Sequence, residues 1–267
     1  MAEYHFDVQS VVVCGDVHGD FEALEALIRE RDMHDTLIIV AGDCGFGFEP
    51  FEYYQRVWLD SYRTLHRRNC WLVMIRGNHD DPAWFDSHRK KFNRFYTVPD
   101  YSVLKVKGHT ILVVGGAVSI DRADRQEAMR QYPDQPCWWE NETVRFDKEA
   151  LDGLPAGTSI DAVVTHSAPS FCLPKWKDGL KRNALRDPWL IRDCAHERQQ
   201  LDILSEYLFA FDHPVKQWFY GHFHQSNVQQ INGVRYVGLD ELELAPIFSV
   251  SSTSFQGTGN ILPTKCK

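Results

Sequence analysis

The sequence predicts an α/β protein, on three observations. Short runs of β-branched and other apolar residues recur along the chain, as buried strands do. Stretches with helical periodicity separate the first three of these runs. Several runs stop abruptly at clusters of glycine with Asp, Asn or His, and ligand-binding groups collect just past strand ends in α/β sheets.

Val11-Val-Val-Cys14 is the first such run and ends at Gly15-Asp16. From Phe21 to Arg31, Phe21, Leu24, Ala26, Leu27 and Ile28 recur with acids between them, the spacing of an amphipathic helix. Thr36-Leu-Ile-Ile-Val-Ala41 breaks at Gly42-Asp43, an aromatic-rich helix is expected from about Phe51 to His66, and Trp71-Leu-Val-Met-Ile75 leads into Gly77-Asn78-His79-Asp80. A strand, helix, strand, helix, strand order favours layered sheets joined by right-handed crossovers.

In the second half, Ser102–Val106 and Thr110–Val114 flank Lys107-Gly108-His109 as a hairpin. Asp161–Thr165 precedes His166, and Gln217–Tyr220 precedes Gly221-His222-Phe223-His224. Val228–Ile231 and Val234–Val237 join at Asn232-Gly233, the strongest short hairpin signal. No linker or internal repeat divides the span, so residues 1–248 are expected to form one domain, with 249–267 a polar, loosely held tail.

At 267 residues, 43% hydrophobic and 25% charged, the chain has the make-up of a globular protein with a sizeable core. No stretch approaches the roughly 20 apolar residues of a membrane span. The first residues, Met1-Ala-Glu-Tyr-His-Phe-Asp7, lack the charge and apolar pattern of an export signal. Seven scattered cysteines without CxxC spacing read as reduced thiols. A cytoplasmic setting follows as the expectation. The formal net charge of −8 argues against an extended basic face for duplex nucleic acid, although a local Arg cluster could still take a small nucleic-acid end.

Five clusters carry chemistry: Asp16-x-His18, Gly42-Asp43, Gly77-Asn78-His79-Asp80, His166 and Gly221-His222-x-His224. Residues two apart in extended backbone share a face, so each Asp/His or His/His pair could reach one metal cluster. Taken alone, every cluster also suits a turn or a satisfied core histidine. Together, Asp16, His18, Asp43, Asn78, His166, His222 and His224 exceed what one tetrahedral ion needs and suit two divalent ions such as Mn, Fe, Zn or Ni.

The ordered series GDVHG (Gly15–Gly19), GD (Gly42–Asp43), GNHD (Gly77–Asp80), TH (Thr165–His166) and GHFH (Gly221–His224) resembles the calcineurin-like metallophosphoesterase superfamily. The resemblance spans about Val11 to His224. It implies a fold of two mixed β-sheets packed face to face with helices outside. Asp16, His18 and His224 would hold a first metal; Asn78, His166 and His222 a second; Asp43 would bridge them. The substrate would be a phosphate ester, attacked by a metal-bridging hydroxide while His79 protonates the leaving oxygen. Protein Ser/Thr phosphatases of this superfamily carry GDxxDRG where this chain has Gly42-Asp43-Cys44-Gly45-Phe46-Gly47, which weakens that alternative, although Arg76 does resemble theirs. A catalytically dead scaffold is a further alternative, against which stands the completeness of the motifs.

Arginine matches phosphate oxygens bidentately. Arg76, Arg122 and Arg125 are therefore the candidate substrate-binding residues, the last two also readable as solvated loop charges. Trp138 and Trp139, in an irregular Pro-containing insertion, read as packing residues in a segment that could cover the metals.

Overall fold

A computed structural model describes residues 1–86 and 92–249. The chain runs through β1 (Glu3–Phe6), β2 (Ser10–Cys14), α1 (Phe21–Glu30), β3 (Thr36–Val40), α2 (Phe51–Arg67), β4 (Trp71–Met74), β5 (Phe95–Thr97), β6 (Ser102–Val106) and β7 (His109–Val114). It continues through α3 (Arg122–Gln131), α4 (Lys148–Leu151), β8 (Ile160–Thr165), α5 (Leu180–Asn183), α6 (Leu190–Ala210), β9 (Val215–Tyr220), β10 (Asn227–Ile231), β11 (Val234–Gly238) and β12 (Leu244–Ser249).

Two mixed sheets result. The larger has the order β1-β6-β7-β8-β9-β11-β10 and the smaller β12-β2-β3-β4-β5. β2, β3, β4 and β5 are mutually parallel, as are β7, β8, β9 and β11. The two expected hairpins are antiparallel, turning at Lys107-Gly108 and Asn232-Gly233, all four residues at positive φ.

The unbroken apolar runs explain the layering. Alternate residues of a strand face opposite sides, and here both sides are covered. Val11, Val13, Leu37, Ile39 and Val73 of one sheet meet Ile111, Val113, Ala162, Val164 and Phe219 of the other in the core between them. The intervening residues face outward: Val12, Ile38, Val40 and Leu72 pack under α1 and α2, and Leu112, Val114 and Val163 under α6. Asp20 starts α1 by accepting the Ala23 N–H at 2.9 Å.

Three features depart from the sequence reading. Arg122 and Arg125, readable as loop charges, lie instead on α3, which was not singled out; it buries none of its residues and therefore lacks an apolar stripe. α6, 21 residues long, was not singled out. β12 pairs antiparallel with β2 through a register shift between Pro246 and Phe248, and extends to Ser249. The expected loose tail otherwise falls on 250–267, outside the described residues. Among the described residues no helix is long and apolar enough to cross a membrane.

Candidate metal centre

The parallel strands bring the polar clusters together. Asp16 and His18 follow β2, Asp43 follows β3, Asn78 and His79 follow β4, His166 follows β8, and His222 and His224 follow β9. Facing sheets thus deliver all eight side chains to one edge of the sandwich. His18, Asp43, His222 and His224 sit at φ between 48° and 68°. Left-handed backbone costs a residue of this kind on the order of 1–3 kcal/mol and collects at functional sites. Gly77 and Gly221 make room: a Cβ would fall 2.0 Å from Asp43 Oδ1 at the first and 2.1 Å from Asp16 Oδ1 at the second.

Two donor groups form, both containing Asp43. Asp16, His18, Asp43 and His224 offer ligand atoms within 4.8 Å of one another, as do Asp43, His166 and His222. His224 Nε2 lies 3.1 Å from Asp16 Oδ2, and His18 Nε2 lies 3.8 Å from that oxygen and 3.9 Å from Asp43 Oδ2. His166 Nε2 lies 3.1 Å from Asp43 Oδ1 and 3.1 Å from Asn78 Oδ1, while its Nδ1 donates to the Ala41 carbonyl at 2.7 Å.

The donors fit divalent ions. Asp43 is fully buried, its Oδ1 accepts the His79 N–H at 2.7 Å, and its Oδ2 has no hydrogen-bond partner. An orphaned carboxylate oxygen in a dry site is costly unless a cation meets it. Burial would raise the Asp43 carboxyl, but His166, His79 and His18 hold it well below the carboxylate range. Burial would lower His166, yet Asp43 and Asp16 more than offset it and raise the imidazole to about 9. Burial and then Lys177 push His222 well below the imidazole range.

Several supporting residues escaped the sequence reading. Glu142, buried, accepts from the Ser119 N–H and hydroxyl at 2.7 Å each, and Ser119 Oγ accepts from Asn78 Nδ2 at 3.1 Å. That chain turns the Asn78 oxygen inward. Glu241 Oε1 takes His224 Nδ1 at 3.0 Å, as carboxylates commonly steady ligating histidines. Glu197, fully buried, binds the Val118 N–H and the Ser167 hydroxyl beside His166. A carboxylate just after β11 and a serine in Gly115-Gly-Ala-Val-Ser119 were the only local signs.

The three arginines separate. Arg76 spends all five N–H groups on Asp100 and the carbonyls of Asn141, Glu142 and Thr143, so its expected phosphate contact is revised to a structural tie. Arg122 is likewise revised: Asp187 and Asp193 hold its guanidinium. Arg125 does enter the site, its Nη2 3.0 Å from His79 Nδ1 and in contact with Nε2. Burial pulls His79 down to about 4, Asp43 opposing and Arg125 adding to the pull. Phe48 packs edge-on against Trp139, with ring centroids 5.4 Å apart. A cavity of about 370 Å3 opens beside His18 and His79, walled by Phe48, Glu49 and Tyr53.

Facing mixed sheets with carboxylates and imidazoles gathered at their strand ends define a metallohydrolase architecture. The chain belongs to the calcineurin-like phosphoesterase family, whose pattern it matches over residues 10–226. Similar solved structures include the phosphopantetheinyl hydrolase PptH of Mycobacterium tuberculosis, at 15% identity over 88% of this chain and 90% of that one, with a TM-score of 0.43. A putative 5′-nucleotidase of Staphylococcus aureus is 13% identical over 92% of this chain and 56% of that one, TM-score 0.45. A protein serine/threonine phosphatase of Saccharomyces cerevisiae is 15% identical over 90% and 71%, TM-score 0.34. Likenesses so distant carry no argument about substrate. No match was found among curated proteins.

Proposed function

We propose that the chain hydrolyses phosphate esters at a dinuclear centre held by Asp16, His18 and His224 on one side and Asn78, His166 and His222 on the other, with Asp43 between. One observation carries this: Asp43 belongs to both donor groups, and one of its buried carboxylate oxygens, Oδ2, has no hydrogen-bond partner. Divalent ions such as Mn, Fe, Zn or Ni would neutralise phosphoryl oxygens there and supply activated water.

The chain's own groups do the rest. His166, fixed by its Nδ1 bond to Ala41, turns Nε2 to the centre. His79 is no member of either donor group and lines the cavity beside it, where the ester's organic part would lie. Burial and Arg125 hold its imidazole below the ordinary range; a phosphate dianion alongside would raise its proton affinity, and the ring could then pass a proton to the leaving oxygen. The protein phosphatase alternative gains nothing from Arg76, whose N–H groups are all occupied.

The test is to strip the protein with chelator, reload it with Mn, Fe, Zn or Ni, and assay a monoester, a diester and a phosphopeptide. Close to two ions per chain and metal-dependent ester hydrolysis are expected. A single tight ion, with no gain from added Mn, overturns the dinuclear reading.

A further inference from the structure

Two segments remote in sequence converge on the centre. The first, residues 115–145, carries α3; the second, residues 166–190, follows β8. Val118 of the first and Leu180 and Leu190 of the second side share a small buried cluster, with Ile120 and Cys194 against it. Arg122 pairs with Asp187 and Asp193, the latter at 2.7 Å, and Arg186 pairs back to Asp124. Arg198 of α6, itself buried, donates to the carbonyls of Ala168, Pro169, Cys172, Pro174 and Lys175 at 2.7–3.1 Å. The two segments are therefore a built composite cap. Every N–H of Arg198 is spent on the loop that leads to Lys177.

Each half of this cap delivers one cation. Arg125 ties Nε to Asp121 at 2.9 Å and Nη1 to the Cys137 carbonyl at 3.1 Å, which leaves Nη2 aimed at His79. Lys177 places Nζ 3.4 Å from His222 Nδ1. Lys177 is half-buried and, among the described residues, forms no ion pair. In a chain with 37 acids against 29 Lys and Arg, an ammonium that forms no ion pair among the described residues and lies 3.4 Å from a histidine of the candidate centre is open to an anion.

We propose that Lys177 and Arg125 form a two-sided clamp that selects a phosphate carrying two negative charges, so that the preferred substrates are phosphomonoesters rather than diesters. This rests on the reading of the centre as a phosphoesterase site. A monoester phosphate is largely dianionic at neutral pH, its second pKa being near 6, and it has three free oxygens. Two cations from opposite sides can each take one of these while the third faces the metals. A diester carries one charge and two free oxygens, and its second organic group would have to lie where one cation stands.

The experiment uses the Mn-loaded protein and compares wild type with Lys177→Met and Lys177→Arg. Substrates are p-nitrophenyl phosphate and bis(p-nitrophenyl) phosphate, with inorganic phosphate as competing ligand. For Lys177→Met, KM for the monoester and Ki for phosphate should rise about 10- to 100-fold, the range for a lost charged hydrogen bond. Diester kcat/KM should move less than about 3-fold, metal content should stay unchanged, and Lys177→Arg should recover part of the phosphate affinity. Equal losses on both esters would overturn the clamp. So would unchanged phosphate affinity with a gain in metal binding, which would mean the ammonium merely competes with a cation. Wild-type protein that hydrolyses neither ester would fail the phosphoesterase reading itself. Calorimetric phosphate binding then still decides the clamp, since equal affinity in wild type and Lys177→Met refutes it.

Discussion

Asp43 is the side chain on which both donor groups depend, and its two oxygens are in different situations: one accepts a backbone N–H at 2.7 Å, the other has no partner. Asp43→Asn keeps the shape and removes the charge, so elemental analysis should find both ions lost; loss of only one would mean that Asp43 is not shared. His79 lies outside either donor group. His79→Ala should therefore keep both metals, slow alkyl phosphates by about 10²–10⁴-fold, and slow p-nitrophenyl phosphate much less, because a stabilised phenolate needs little protonation. Equal losses would make it a positioning group. The candidate ligands were legible because each follows a strand end by one to four residues and, in four of the five clusters, the cluster contains or abuts glycine. Arg76 misled because its partners, the carbonyls of Asn141 to Thr143, lie 65–67 residues away. Lys177 was invisible because no local pattern marks a lysine whose loop is fixed by Arg198.

Strands and helices differed in legibility for a physical reason. Strands buried on both faces leave continuous apolar runs, and β2, β3, β4, β8 and β9 were found that way. α3 is held by ion pairs to Asp187 and Asp193 rather than by an apolar stripe, so periodicity could not reveal it. The β7–α3 connection matters most at this scale, because Ser119 links buried Glu142 to the Asn78 amide. Ser119→Ala removes the acceptor that holds Nδ2 and lets the amide rotate. Loss of such an outer support typically costs 10–100-fold in metal affinity. Titration calorimetry with Mn should show that loss at one of two sites, the site of His18 and His224 being spared. Equal weakening of both sites would mean that the loop acts on the fold as a whole.

At the scale of the molecule, the α/β layering was legible in the order of strands and helices, while the two-sheet sandwich came from the resemblance. Local sequence does not encode that β1 pairs with β6 or β12 with β2, since register is settled by long-range packing. The sandwich nonetheless gathers buried carboxylates at one edge, which ties metal binding, protonation and stability together. Without metal, His166 is raised to about 9, as Asp43 and Asp16 outweigh burial; unfolded, it titrates near 6.5. A raised pKa stabilises the folded state fully below the unfolded value, and that stabilisation is lost as pH rises from about 6.5 to 9. At roughly 1.4 kcal/mol per pH unit, the metal-free protein should lose on the order of 3 kcal/mol across this window. With Mn bound, His166 as ligand must be neutral, so folding no longer holds that proton and the decline disappears. The gap in melting temperature between Mn-loaded and chelator-treated protein should therefore widen steadily from pH 6.5 to 8.5. Each kcal/mol corresponds to very roughly 2–4 °C for a chain of this size. A gap that stays constant would show that His166 gives up no proton when metal binds, and would remove it from the ligand set.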